Sequence, residues 1–316
     1  MSDYLKEHKK RVLLTGGNGL VGKNIQNHVK AKEWDIIAPP RKELDLMDAV
    51  SVYHWLEKYK PYLIIHAAGL VGGIKANIAN SVDFLDTNLV IGRNIIMGAK
   101  DCNVMNFINL GSSCMYPKSI SGSLTEDMLM TGKLEQTNEG YALAKLLTTK
   151  LCQYINQINI KMQYKTLIPC NIYGKHDNFD PINAHLLPAI INKIHRAKID
   201  KLGTVTIWGK GDARREFLYA EDLADAILRA ADDMKKVPSI MNIGVGLDHT
   251  VNEYYKMVAE VLNWQGKFEH DLNMPVGISQ KLNSIQKQIE WGWVPQTPLK
   301  VGIKKVYSYF LENPVQ

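Results

Sequence analysis

Cysteine is scarce in this chain of 316 residues: there are four, at positions 102, 114, 152 and 170. None forms a CxxC pair, which argues against a zinc site, and no metal is expected. The irregular spacing also fits free thiols in a reducing compartment better than a disulfide framework. No apolar run reaches the roughly 18 residues that a membrane span needs. The opening stretch MSDYLKEHKK lacks the apolar core of a secretion signal, so a cytoplasmic location without membrane partners is expected. Blocks of lysine and arginine are missing too, although the formal net charge is +6. A scattered basic excess suits a phosphate-bearing ligand as well as it suits nucleic acid, and without a basic run a nucleic-acid partner is not expected. Repeats, low-complexity tracts and flexible linkers are absent. With 46% hydrophobic and 22% charged residues, the chain can bury a sizeable core, and disorder is not expected.

What is present is an alternation. RVLLTGG, WDIIAPP, PYLIIHAAG, VMNFINLGSS and MQYKTLIPCNIYG read as five apolar strands. Helical patterns lie between them over Ala49 to Lys58, Asn77 to Lys100 and Tyr141 to Asn156. Unalternating apolar strands separated by helices predict a parallel sheet covered on both faces, a doubly wound (Rossmann) α/β fold. Beyond about residue 174 the pattern becomes irregular, with helices near Leu186 to Ala197 and Thr250 to Leu262. The expected division is a dinucleotide-binding domain over 1–174, to which 216–244 returns. A smaller C-terminal substrate-binding region would comprise 175–215 and 245–316.

The stretch TGGNGLVG spans Gly16, Gly17, Asn18, Gly19, Leu20, Val21 and Gly22, between the first strand and a helix. In that context glycines let a backbone approach a pyrophosphate, and the helix N-terminus offers free N–H groups and a positive dipole end. A dinucleotide that is not phosphorylated on its ribose is usually met by an acid near the end of the second strand. Here that place reads APPRK. Asp35 comes too early, and Arg41 and Lys42 supply cations for a 2′-phosphate, so NADPH is the expected cofactor.

YALAK places Tyr141 and Lys145 four residues apart on one helical face. A phenol is a poor proton donor or acceptor near neutrality unless a neighbouring cation lowers its pKa, which Lys145 could do. Ser112, in the GSS that ends the fourth strand, would hydrogen-bond a reacting carbonyl beside Tyr141. In the same stretch, LGSSCMYP, stands Cys114. By residue type alone, a cysteine there is ordinarily a small packing residue and a lone histidine such as His185 a structural one.

The TGxxGxxG turn, the HAAG strand end with Ala67, Ala68 and Gly69, Ser112 and YxxxK together resemble the extended short-chain dehydrogenase/reductases. AAGLVGGIKAN, LGSSCMYP, TNEGYALAK, NIYGKHDNFDP and WGKGDARREFLYAEDLA are similar, within them, to the GDP-L-fucose synthase family. The resemblance covers nearly the whole chain. It implies NADPH-dependent epimerisation at C3 and C5, then C4 reduction, of a GDP-4-keto-6-deoxy-hexose. Cys114 matches the family's base and His185 its acid, two groups that both exchange protons near neutrality. Leu110, Gly111 and Ser113, with Pro169, Cys170, Asn171 and Ile172, would line the cofactor, and Asp45 and Leu46 would lie near its adenine. Lys193, Trp208 and Arg215 would contact the GDP-sugar. Pairing of long helices across a two-fold axis would make a homodimer.

The chain departs from the family at Lys193, Val276 and Gln280, where an arginine, an acid and an arginine are usual, and at Ser284, usually an acid. These departures leave open a sibling activity on another GDP-4-keto sugar, a dideoxyhexose or a 6-deoxy-heptose, with one epimerisation or none. A more distant possibility is a non-catalytic NADPH-binding regulator.

Overall fold

The computed structural model describes residues 9–120, 122–180, 184–274 and 278–313. Five strands, β1 (Arg11–Thr15), β2 (Asp35–Ile37), β3 (Leu63–His66), β4 (Asn106–Leu110) and β5 (Gln163–Pro169), alternate with helices. The helices are α1 (Leu20–Asn27), α2 (Ala49–Tyr59), α3 (Ile74–Ala79), α4 (Ser81–Asp101) and α5 (Glu139–Ile158). Next come β6 (Asn171–Tyr173), α6 (Leu186–Ile199), β7 (Thr204–Trp208), β8 (Arg214–Arg215), β9 (Phe217–Tyr219), α7 (Ala220–Asp232) and β10 (Ile240–Ile243). The chain continues with β11 (His249–Thr250), α8 (Val251–Leu262), β12 (Lys267–Asp271), β13 (Gln280–Lys281), α9 (Gln286–Glu290) and α10 (Leu299–Glu312).

The central sheet has the order β10-β5-β4-β3-β1-β2, and every pairing in it is parallel. Its inner strands are buried on both faces: every residue of β3 and β4 is buried. Burying one such side chain contributes ~1.5–3 kcal/mol, so Ile64, Ile65, Phe107 and Ile108 hold the strand ends rigidly. The order reverses beside β1, and a doubly wound sheet opens its ligand crevice at that point, above the C-terminal strand ends. A second apolar cluster joins α6, α8 and α10 to Val205, Ile207 and Phe217.

Two boundaries differ from the sequence reading. The long helix expected over Asn77 to Lys100 is two helices, broken at Asn80, whose backbone leaves helical geometry (φ −130°, ψ 39°). The fifth strand stops at Pro169. After Cys170 the chain resumes as β6 and pairs with β9 in a separate two-stranded sheet. Proline has no N–H to give, and the bond from Cys170 N to Ile243 O (3.0 Å) is the last link to β10 in the main sheet. Among the described residues no helix is long and apolar enough to cross a membrane.

Candidate active site

The glycine turn closes on itself, with Gly19 N donating to Gly16 O at 3.0 Å. Gly16 has φ +73°, and a Cβ there would stand 2.6 Å from Ala68 N, while one on Gly22 would stand 2.2 Å from Gly16 O. Only glycine fits either position, and the N-terminus of α1 carries no side-chain cap, so its N–H groups stay free for an anion. Asn18 and Gly19 are exposed, and Leu20 and Val21 half-buried, along the mouth of this cradle. Thr15 Oγ links the neighbouring strand ends, pairing with His66 Nδ1 (2.8 Å) and accepting from Ala68 N (3.3 Å). Burial drives His66 down to about 3, so it is neutral. Arg41 and Lys42 are exposed on the loop after β2, where Arg41 Nε lies 3.5 Å from Asp45 Oδ1. Leu46 O accepts from Asn94 Nδ2 (3.0 Å).

Across the crevice, Lys145 Nζ donates to Leu110 O (3.0 Å) and stands 5.8 Å from the centre of the Tyr141 ring. Burial lowers Lys145 to about 8. Tyr141 does not behave as its motif predicts: its phenol is pushed up, first by burial and then by Cys114, against a hydrogen bond with Ser112 that pulls it down. The Lys145 charge does not reverse this, because desolvation of a buried phenolate outweighs it. Gly111 N donates to Leu167 O (2.8 Å), fixing the strand end that carries Ser112 and the buried Ser113. Asn171 Nδ2 donates to Glu216 O (2.9 Å), and Ile172 lies half-buried in β6.

Cys114 is the meeting point. Ser112 Oγ accepts from Cys114 N (3.2 Å) and so caps the short turn that carries the thiol. Asn138 Nδ2 reaches Cys114 Sγ at 3.1 Å, and Lys281 Nζ reaches it at 3.5 Å. Arg215 is in electrostatic reach as well: burial lowers its guanidinium while Cys114 and Tyr254 raise it. Asn138 stands at the N-cap of α5 but makes no cap bond, and its buried Oδ1 has no partner among the described residues. A cap bond is typically worth about 1 kcal/mol, and here the side chain serves the thiol instead.

His185 precedes α6 without capping it, and among the described residues no hydrogen bond or ion pair joins it to the Cys114 group. It reaches solvent, and the partial burial that remains lowers its imidazole. A Cβ on Gly73 would stand 3.8 Å from Ala184 O, so the loop after β3 borders the His185 segment. Trp208 is exposed at the end of β7, with Lys75 Nζ 4.9 Å from its ring centre. Lys193 turns its amine to Thr206 O, one strand residue pair from Trp208. Among the departures, Val276 lies outside the described residues. Gln280 points away from the thiol, donating to Asp248 Oδ2 (2.6 Å), while Asp248 Oδ1 accepts from Arg214 (2.8 Å). Ser284 is engaged through its backbone, where its carbonyl accepts from Asn242 Nδ2 (3.1 Å). Asn138, Lys281, Glu216 and Lys75 were not singled out from the sequence. The asparagine just before the YxxxK helix was the one local signal available.

The chain belongs to the NAD dependent epimerase/dehydratase family, whose pattern it matches over residues 12–244. Among curated proteins it is 50% identical to a GDP-L-colitose synthase of Yersinia pseudotuberculosis, covering 96% of this chain and 98% of that one. It is 47% identical to a GDP-L-fucose synthase of Azorhizobium caulinodans, covering 96% of each. Among solved structures, a GDP-mannoheptose C4 reductase from Campylobacter jejuni with NADP bound superposes with a TM-score of 0.87. That pair is 28% identical, and the match covers 96% of this chain and 98% of that one.

Proposed function

We propose that the protein epimerises a GDP-4-keto-6-deoxy-hexose at C3 and C5 and reduces it at C4 with NADPH, the chemistry of GDP-L-fucose synthesis. The observation that carries this reading is the thiol of Cys114 standing beside the Ser112–Tyr141 pair. A plain ketone reductase needs only the hydroxyl pair, whereas exchange of the C–H bonds flanking a ketone needs a further base. The glycine cradle fits a dinucleotide diphosphate, Arg41 and Lys42 fit a 2′-phosphate, and NADPH supplies the hydride for C4. Tyr141 gives its proton to the C4 oxygen, and the ammonium of Lys145 stabilises the phenolate that remains. Ser112 holds the oxygen in line. Cys114 removes the proton beside the ketone, and His185 returns one from the opposite face. Trp208, Arg215 and Lys193 hold the nucleotide end, with Arg215 offering its fork to phosphate.

The identity to a GDP-L-colitose synthase favours one second reading, action on a GDP-4-keto dideoxyhexose with one epimerisation or none. The test is incubation with NADPH and a panel of GDP-4-keto sugars, with products assigned by NMR. A galacto-configured 6-deoxy product supports the main reading. Turnover confined to a dideoxy substrate supports the second.

A further inference from the structure

Glu216 has no solvent exposure and none of the roles above. It follows Arg215 directly and leads into β9. Its Oε1 accepts from Val245 N (2.6 Å) and Gly246 N (2.8 Å), and its Oε2 accepts from Asn283 N (2.9 Å). A Cβ on Gly244 would stand 2.3 Å from Oε1, so the exit of β10 closes tightly over the carboxylate. Burial raises the acid to about 7, against the pull of these three N–H donors. The side chain thus joins stretches that are 29 and 67 residues away in sequence.

One of those stretches carries Lys281. The strand β13 is only two residues long, Gln280–Lys281, and pairs in parallel with Arg214–Arg215, so Lys281 lies opposite Arg215. The two residues point to opposite sides: Gln280 to Asp248, Lys281 to Cys114. So short a ladder defines its own register weakly, and a slip of one residue would exchange the two side chains. The bond from Asn283 N to Glu216 lies two residues beyond Lys281 and joins it to the residue beside Arg215. Asn283 Nδ2 on Ile168 O (3.3 Å) and the exchange of backbone bonds between Leu124 and 282–284 secure the far side.

We infer that Glu216 is a positioning residue that sets the register of β13 and so decides that Lys281, not Gln280, faces the thiol of Cys114. This deepens the reading above, on which the role of Cys114 rests. In Glu216→Gln one oxygen becomes an amide NH2, which donates and cannot accept, so either Asn283 N or the Val245 and Gly246 N–H groups lose their acceptor. An ammonium beside a sulfur speeds attack by that sulfur on an alkylating agent.

The experiment measures alkylation of Cys114 by iodoacetamide at fixed pH, located by mass spectrometry, in wild type, Glu216→Gln, Glu216→Asp, Lys281→Met and Glu216→Gln/Lys281→Met. NADPH affinity and sugar turnover are measured alongside. Slowing of at least about fivefold is expected in both Glu216→Gln and Lys281→Met. The double variant should be no slower than the slower single one, because both remove the same contact. NADPH affinity should stay within about twofold of wild type, and Glu216→Asp, with both oxygens on a shorter arm, should be intermediate. Wild-type alkylation in Glu216→Gln, or single effects that multiply in the double variant, would overturn the inference. If Glu216→Gln does not fold, Glu216→Asp decides: slowed alkylation supports the inference, and the wild-type rate sinks it. If wild type turns over no GDP-4-keto sugar, the proposed function fails, while alkylation still decides the role of Glu216.

Discussion

Gly17 and Ala38 are so closely apposed that a Cβ on Gly17 would lie 2.6 Å from the Ala38 Cβ. The glycine turn therefore abuts the loop that carries Arg41 and Lys42 three and four residues further on. A 2′-phosphate held there would meet both cations. Arg41→Ala/Lys42→Ala should lower kcat/KM for NADPH by about 10–100-fold, in line with ~1.5–3 kcal/mol for hydrogen bonds to a charged group. NADH should lose less than about threefold. Steady-state kinetics with both cofactors checks this, and equal losses would remove the 2′-phosphate assignment.

Separation of the two chemistries gives a second prediction. On the proposed function Ser112, Tyr141 and Lys145 would attend the carbonyl, while Cys114 would attend the neighbouring carbon. Tyr141→Phe should keep exchange of substrate C–H for solvent deuterium while losing about 10²–10⁴-fold of NADPH oxidation, the usual contribution of a general acid. Cys114→Ala should abolish the exchange and leave some reduction of the unepimerised ketone. Mass spectrometry in heavy water reads the exchange, and absorbance at 340 nm reads the oxidation. If wild type shows no exchange beside the ketone, Cys114 is only a packing residue.

The pH profile follows from Lys145, which burial lowers to about 8. The amine is charged below that value and neutral above it, so turnover should fall as pH rises through about 8. Tyr141, pushed upward by burial, keeps its proton across the same range. Lys145→Arg should carry the charge beyond this limb, since a guanidinium stays protonated. A profile flat to pH 10 in wild type would show that the charge is not needed.

Assembly supplies a fourth prediction. Val82 on α4 and Leu143, Leu147, Tyr154 and Ile158 on α5 are all exposed. A second copy of the chain, packing these helices across a two-fold axis, would cover them. Sedimentation at micromolar concentration should give a homodimer, and Leu147→Glu/Tyr154→Glu should shift it toward monomer. A wild-type monomer would refute this.

Local patterns made much of the fold legible. The unalternating apolar strands predicted the parallel sheet, because burial on both faces leaves no room for polar residues. TGGNGLVG and YALAK stood out in the sequence because each chemistry they suggest needs fixed residue types at short spacing. The break at Asn80 was hidden, because the apolar pattern runs through it unchanged. The raised Tyr141 was hidden as well, because spacing reports a neighbouring lysine and not the loss of water around the phenol. Glu216 and Lys281 could not be read at all. They reach Cys114 or its surroundings from more than 100 residues away, through backbone N–H groups and strand register, which leave no motif.

The pairing of Leu124 with 282–284 has a consequence for the order in which the protein is made. The first five strands and the glycine cradle lie within the first 169 residues and can pack as they leave the ribosome. The thiol at 114 emerges early, yet its lysine arrives 167 residues later. During synthesis there is an interval in which the glycine turn is complete while the thiol still lacks its lysine. The surroundings of Cys114 are therefore completed only once the stretch 278–284 has emerged.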